Sequence, residues 1–447
     1  MDFIPHTPSD DAAMLERIGV GSMAELFDSI PADLRLPRDL EIPPALDEVA
    51  LVRHLRELAE RSRSAADLAC FMGGGTYDHH VPAAARALAA RGEFSTSYTP
   101  YQPELSQGVL QAVYEFQTMV CELYGMDVAN ASLYDGASAL VEGVNLAVRA
   151  TKRHTAVVSE AVHPHYLQVL RTYTSGLGLN LVVVPTTEDG TTDLTAVDLA
   201  DAAAVVVASP NFFGLLEDVG SAAGAAHAAG ALAIAVTDPT AMGVLRSPGE
   251  LGADIAVGEG QALGNAMSYG GPYVGFFATK LELVRQVPGR IAGETLDADG
   301  RRAYVLTLQA REQHIRRAKA TSNVCTNQTL MAIAAAIHLA WLGPEGLARW
   351  GEICVRRTAF AASRLGAIPG CSVRYSGPRF KEFVLKTPVD GRELGRALAK
   401  RGFLVGPALG RWFVDLGDCL LVAVTEKRTE DDVLALAEAI EKELAER

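Results

Sequence analysis

A chain of 447 residues, 49% of them apolar and 21% charged, has room for more than one core and reads as globular. Its formal net charge of −14 argues against general affinity for nucleic acid or an anionic membrane, and no apolar run is long enough to span a bilayer. Six cysteines form no CxxC pair, and the start of the chain, with Asp2, Asp10 and Asp11, lacks the basic and apolar stretches of a signal peptide; reduced thiols in a bacterial-type cytoplasm are expected.

The first hundred residues predict short helices joined by turns. Ser22-Met23-Ala24-Glu25 has the form of a capping box, and a helix is expected over 47–62 after a passage broken by Pro31, Pro37, Pro43 and Pro44. Gly73-Gly74-Gly75 lacks the lysine and hydroxyl of a P-loop, follows no evident strand and reads as a turn; His79 and His80 read as polar surface or an interface contact rather than a ligand pair. Pro100 and Pro103 predict that Ser97-Tyr98-Thr99-Pro100-Tyr101-Gln102 is an extended strand, followed by an amphipathic helix over 105–124.

From there the pattern alternates. Apolar runs at 129–133, 156–159, 181–184, 203–209 and 231–237 are separated by helical patterns at 137–150, 164–173, 194–199 and 220–229, and two short runs follow at 255–257 and 273–278. Strands that are apolar throughout are buried on both faces, and their alternation with helices predicts a mostly parallel, doubly wound sheet. A polar passage at 289–302 and a helix with Arg311, Arg316, Arg317 and Lys319 come next. Helices at 329–342 and 344–365, strands at 372–375, 382–385 and 419–424 and a last helix at 430–444 complete the chain. The expected divisions are an N-terminal helical and extended segment over 1–105, a large α/β domain over 106–320 and a small α+β domain over 321–447.

One absence bears on chemistry. No lysine lies between Lys152 and Lys280. Asp238 closes an apolar strand, the place where a carboxylate would pair with the ring nitrogen of a pyridine aldehyde cofactor. A lysine a few tens of residues later should then hold the aldehyde as a Schiff base. That place reads Asp254-Ile255-Ala256-Val257-Gly258-Glu259-Gly260-Gln261, so the scaffold is present and the reactive amine is not.

The stretches 72–80, 96–104, 128–139, 253–261 and 320–329, with SYTPYQPELSQG and SNVCTN as the most specific motifs, resemble the P-protein of the glycine cleavage system, in particular its alpha subunit (subunit 1) where the protein is split in two. The resemblance covers essentially the whole chain. It implies an α/β fold of the fold-type I pyridoxal-phosphate-dependent transferase kind, with a smaller C-terminal α+β domain. It implies glycine decarboxylation by a complex, with release of CO2 and transfer of the aminomethyl group to the lipoyl arm of the H-protein. The Schiff-base lysine would lie in a histidine-lysine-threonine motif of the partner beta subunit, which would hold pyridoxal phosphate within an alpha2beta2 heterotetramer. This chain would hold no covalently bound cofactor and no metal, and would be inactive alone.

The resemblance also implies that Tyr98, Thr99, Tyr101 and Gln102 reach towards the partner's active site; packing of the interface alone is the other reading. Asp135, Gly136, Ser138, His163, Asp238 and Gln261 are expected to be vestigial cofactor positions. The Asp135-Gly136-Ala137-Ser138 turn offers a helix N-terminus to an anion, but Asp135 places a carboxylate in the same field, so a self-capped helix is preferred. His163 and His165 are expected as helix-start residues, and Cys325 as a buried thiol. Two rivals stand: a self-sufficient pyridoxal-phosphate enzyme using Lys280 or Lys319, and a non-catalytic binding scaffold.

Overall fold

Seven strands form the central sheet of the computed structural model, which describes residues 5–447. Their spatial order is Val128–Ala129, Gly275–Thr279, Ile255–Glu259, Leu232–Val236, Ala202–Ala208, Thr155–Ser159 and Asn180–Val184. The last five run parallel, and Gly275–Thr279 is antiparallel to both of its neighbours. The parallel strands are apolar because helices such as Gly136–Thr151 and Val219–Ala228 pack against them; every residue of Ala202–Ala208 is buried. This is the expected doubly wound architecture. The run at 194–199 forms only the short 3-10 turn Leu194–Ala196, capped by Asp193, whose side chain accepts from the Thr195 N–H, and the chain is extended again at Val197.

The polar passage at 289–302 conceals an antiparallel pair, Ile291–Leu296 with Arg302–Thr307. Its polarity belongs to the turn, where Asp297 accepts from the N–H groups of Asp299 and Arg301 at 2.8 Å. Arg311 was expected on a charged helix face. It is instead buried, donating to the carbonyls of Val287, Gly289 and Leu308, and the helix there shortens to Gln313–Arg316.

The helical run Thr329–Gly366 breaks at Gly343 (φ 62°, ψ 179°) before Pro344, which agrees with the two helices expected. By length and composition it could cross a membrane, but Ala332, Ala335, Leu339, Leu347 and Trp350 pack into one core with Phe116, Val120 and Tyr124. Beyond it, Ser372–Val373, Glu382–Lys386 and Cys419–Ala423 form an antiparallel sheet.

The chain divides into two compact units, Met1–Ser62 and Arg63–Arg447. The division does not fall near residue 105, because Ala69–Met72 pairs in parallel with Phe403–Gly406 and draws the residues after 62 into the larger unit. Parts 106–320 and 321–447 both lie within that unit. In Met1–Ser62, the helices Pro8–Ile18 and Glu48–Ala59 are capped by Thr7 and Asp47 and bury no residue. Met23–Phe27 is a 3-10 turn: Glu25 takes the Gly21 N–H and the Ser22 hydroxyl, so no capping box forms.

Candidate functional site

The C-terminal ends of strands Ala202–Ala208, Leu232–Val236 and Ile255–Glu259 meet the start of helix Gly136–Thr151 around a small cavity, the crevice where open parallel sheets place their ligands. Tyr77, His163, Asp238, Glu259, Lys381 and Glu382 line it. Its volume is about 80 Å³, well below the roughly 300–1,000 Å³ of a small-molecule site.

An amine does stand in this cavity, contrary to the expectation from the lysine gap. Lys381 enters from the edge of strand Glu382–Lys386 and is only 2% exposed. Its Nζ lies 2.6 Å from Asp238 Oδ2 and donates to Thr240 Oγ1 at 3.2 Å; His79 Nε2 lies 3.0 Å away. The Tyr77 ring centroid is 3.6 Å from the same nitrogen. Asp238 spends its other oxygen on Thr240, accepting from the N–H at 2.9 Å and the hydroxyl at 2.7 Å. Burial alone would raise the Asp238 pKa, but the Lys381 charge and these hydrogen bonds outweigh it and hold the carboxyl below its usual value.

The pair continues outwards. His79 Nδ1 lies 2.6 Å from Glu426, whose carboxylate also accepts from the His80 N–H at 2.6 Å and from the Trp350 indole. Burial opposes ionisation of Glu426, yet these donors bring its pKa down to about 2. Burial and the Lys381 charge lower that of His79, so the ring is neutral at neutral pH, donating from Nδ1 and accepting at Nε2. His79 is therefore a buried link, not polar surface: its neighbours at 380–382 and 424–426 come from sequence too distant for local polarity to reveal.

At the helix start, Asp135 Oδ1 accepts from the Ser138 N–H at 2.7 Å, the self-capped turn that was preferred. The Gly136 N–H donates to Glu259 Oε2 at 3.0 Å, while Glu259 Oε1 accepts from Gln261 at 3.0 Å and Val274 at 3.2 Å. A Cβ on Gly136 would run into the Tyr166 hydroxyl, so only glycine allows this close cover. Burial pushes the Glu259 carboxyl up to about 8, with Asp135 adding to the rise and the three N–H donors opposing it.

The loop after strand Ala69–Met72 crosses the opening. Glu382 accepts from the Gly74 N–H at 2.7 Å and the Tyr77 hydroxyl at 2.8 Å, and Gln261 grips the Tyr77 backbone through its N–H (3.0 Å) and carbonyl (3.2 Å). Gly75, at φ 98°, lies so close to the His163 ring that a Cβ would meet it at 3.1 Å. His163 caps its helix as expected, accepting from the His165 N–H at 3.0 Å, and its Nε2 bonds the Gly74 carbonyl at 2.7 Å. Burial lowers the His163 pKa to about 4. The glycine turn thus does follow a strand; its partner, Phe403–Gly406, lies more than three hundred residues away, out of reach of local pattern.

The cavity gathers His163, Asp238 and Gln261, with Asp135, Gly136 and Ser138 at the adjoining helix start; it does not gather Tyr98, Thr99, Tyr101 or Gln102. Those four lie on an irregular bend, not a strand, with Tyr101 N–H bonded to the Thr99 carbonyl at 2.9 Å. Two prolines restrict such a segment without supplying a partner strand. Arg290 connects it to the second motif, touching Tyr101 Oη at 3.4 Å, Asn327 Oδ1 at 3.2 Å and the Cys325 carbonyl at 2.8 Å. Cys325 itself is exposed, because its N–H and carbonyl, rather than its thiol, face the fold. Lys280 pairs with Asp254 at 2.7 Å and Lys319 sits in a surface turn; neither lines the cavity.

Tyr77, Glu259, Lys381, Glu382 and Glu426 were missed. A signal existed for Lys381: with period-2 alternation it shares a strand face with Phe383 and Leu385, so its side chain points into a core.

The comparisons with known proteins agree with one another. The model of the family described as glycine cleavage system P-protein matches residues 1–440. A probable glycine dehydrogenase (decarboxylating) subunit 1 from Moorella thermoacetica is 49% identical over 100% of both chains, and one from Desulforamulus reducens is 47% identical over 98% of both. A crystal structure of glycine decarboxylase (P-protein) of the glycine cleavage system, in inhibitor-bound form, superposes with a TM-score of 0.91 at 48% identity, covering 99% of this chain and 100% of that one. A NifS-like protein at 14% identity (TM-score 0.64, covering 85% of this chain and 99% of that one) shares the fold alone, which is the fold-type I architecture. The chain therefore belongs to the glycine cleavage system P-protein family.

Proposed function

We propose that this chain is the lysine-lacking subunit 1 of a two-part glycine decarboxylase. With a beta subunit that holds pyridoxal phosphate, in an alpha2beta2 assembly in the cytoplasm, it would support loss of CO2 from glycine and transfer of the aminomethyl group to the lipoyl arm of the H-protein. Full-length relatives named as subunit 1 support the reading. One observation carries the non-catalytic part: the turn after strand Ile255–Glu259 contributes Gln261 and Ala262 to the cavity and no amine, while the one amine among the described lining residues is bonded to Asp238. Nucleophilic capture of an aldehyde needs a free amine.

The chain's own contribution would be surface. Large apolar side chains such as Phe27, Leu34, Ile42 and Val49 are exposed in Met1–Ser62, whose described helices bury nothing; this fits a segment that packs on the partner subunit. Tyr98, Thr99, Tyr101 and Gln102 would border the partner's active site. Glycine–bicarbonate exchange measured with this chain alone, the partner alone and both together tests the reading. Activity is expected in the mixture; exchange by this chain alone overturns it.

A further inference from the structure

The cavity occupies the place of a fold-type I cofactor, and its residues do not fit one. Such a cofactor needs three things there: N–H donors at a helix N-terminus for its phosphate, a carboxylate for its ring nitrogen and a flat space between. Each is already taken. The Gly136 and Ser138 N–H groups donate to Glu259 and Asp135, and Tyr166 covers Gly136 so closely that a Cβ has no room. A phosphate dianion would have to displace Glu259 and sit beside the Asp135 carboxylate. Asp238 has both oxygens engaged by Lys381 and Thr240. The Tyr77 ring, with its hydroxyl held by Glu382 and its backbone by Gln261, walls the space between, and about 80 Å³ is open. At roughly 10–15 Å³ of such volume per water, that remainder suits a few water molecules.

We propose that the chain closes its own cofactor cleft by substitution in kind: the Glu259 carboxyl takes the phosphate's place on the helix N-terminus, and the Lys381 ammonium takes the ring nitrogen's place on Asp238. The lysine is thus present in the cleft, but at the end opposite to the one where an aldehyde would be held. The arrangement also explains why the pocket survives without a cofactor. Its N–H donors and its carboxylate would otherwise be buried without partners, which is unfavourable. Filling them from within turns a binding site into a lock among the loop at 73–79, the sheet and the strand Glu382–Lys386.

The inference concerns binding rather than turnover, so it can fail separately from the subunit reading. The probe is pyridoxine 5′-phosphate, which carries the ring and the phosphate but has no aldehyde to react with surface lysines. Calorimetric titration of the full-length wild-type chain should show no saturable binding. A Glu259→Ala/Lys381→Ala double variant, which frees both ends of the cleft, should gain affinity by about a hundredfold through two restored charge-assisted contacts. Micromolar binding by the wild type would overturn the inference while leaving the subunit reading intact. A double variant that melts cooperatively yet gains nothing would also overturn it. Should that variant fail to fold, a crystal structure of the wild type grown from pyridoxine 5′-phosphate decides. Glu259 still on the Gly136 N–H supports the proposal, and an anion in its place with the side chain swung away refutes it.

Discussion

The cleft around Asp238 and the surface around Tyr98 both gather rings, hydroxyls and amides, yet only the cleft closes its own hydrogen bonds. Within it, Asp238, Lys381, Glu259, Gln261, Glu382 and His79 each meet partners from this same chain. Along the Tyr98 segment the reverse holds. Tyr98 and Leu105 are both 82% exposed, the Tyr101 hydroxyl has one long hydrogen bond, from Arg290, and the Thr99 hydroxyl oxygen is buried with no partner. Buried polar groups left unpaired are rare, so the first region is complete within this chain and the second is not. Under the reading proposed above, the better-formed pocket is structural and the plainer surface is the one offered to the partner.

The comparison breaks most visibly at Lys381. If the cleft is a lock, Lys381→Met leaves Asp238 charged and uncompensated inside it and should cost about 3–5 kcal/mol of unfolding free energy, read by denaturant titration of the full chain. Lys381→Met combined with Asp238→Asn removes both charges and should recover most of that loss. If the double variant is no more stable than the single one, the ion pair is not what joins the strand Glu382–Lys386 to the sheet.

A smaller effect, with a definite sign in pH, belongs to Glu259. Its carboxyl rises from 4.5 to about 8 in the folded chain, chiefly through burial, so the folded state keeps a proton that the unfolded state gives up. The stabilisation from this group is whole below 4.5 and is lost as pH rises through about 8. Glu259→Gln removes the titration and should flatten that fall by about 2 kcal/mol, allowing for the side chain's partial exposure. Glu382, raised by burial to about 7, keeps part of the slope in the variant. Melting temperatures of both proteins across the neutral range check this. Parallel curves would mean that Glu259 does not hold its proton where it sits.

How much of this was legible in the sequence depended on whether the information was local. The parallel strands announce themselves because their centres are apolar, Ala202–Ala208 from end to end, and the break at Gly343-Pro344 is readable from two residues. Asp135 and His163 were legible as helix caps because a cap is satisfied within two or three residues. The lock was not, because its members come from positions 77, 238, 259, 381 and 426 and meet only through tertiary structure. The lysine gap spans the central sheet's own turns, whereas Lys381 arrives from the edge of a strand of another sheet. The missed strand Ala69–Met72 failed for the same reason, its partner being Phe403–Gly406.

The smallest effect on stability, and the sharpest on partnership, is expected at Tyr98 and Tyr101. Tyr98→Phe removes an exposed hydroxyl, and Tyr101→Phe one 3.4 Å contact to Arg290, so either should change the stability of this chain by no more than about 0.5 kcal/mol. If these hydroxyls border the partner's active site, the assembled complex should lose turnover in glycine–bicarbonate exchange while the two subunits still co-elute. Phenylalanine keeps the ring, so packing across the interface is retained and only the polar tip is tested. Weakened co-elution with unchanged turnover per assembled complex would make the segment an adhesive surface. Arg290 bears on the same choice, since it holds Tyr101 and Asn327 from one guanidinium. Arg290→Lys keeps the charge but cannot reach both, and should reproduce the turnover defect of Tyr101→Phe if the two motifs act as one surface.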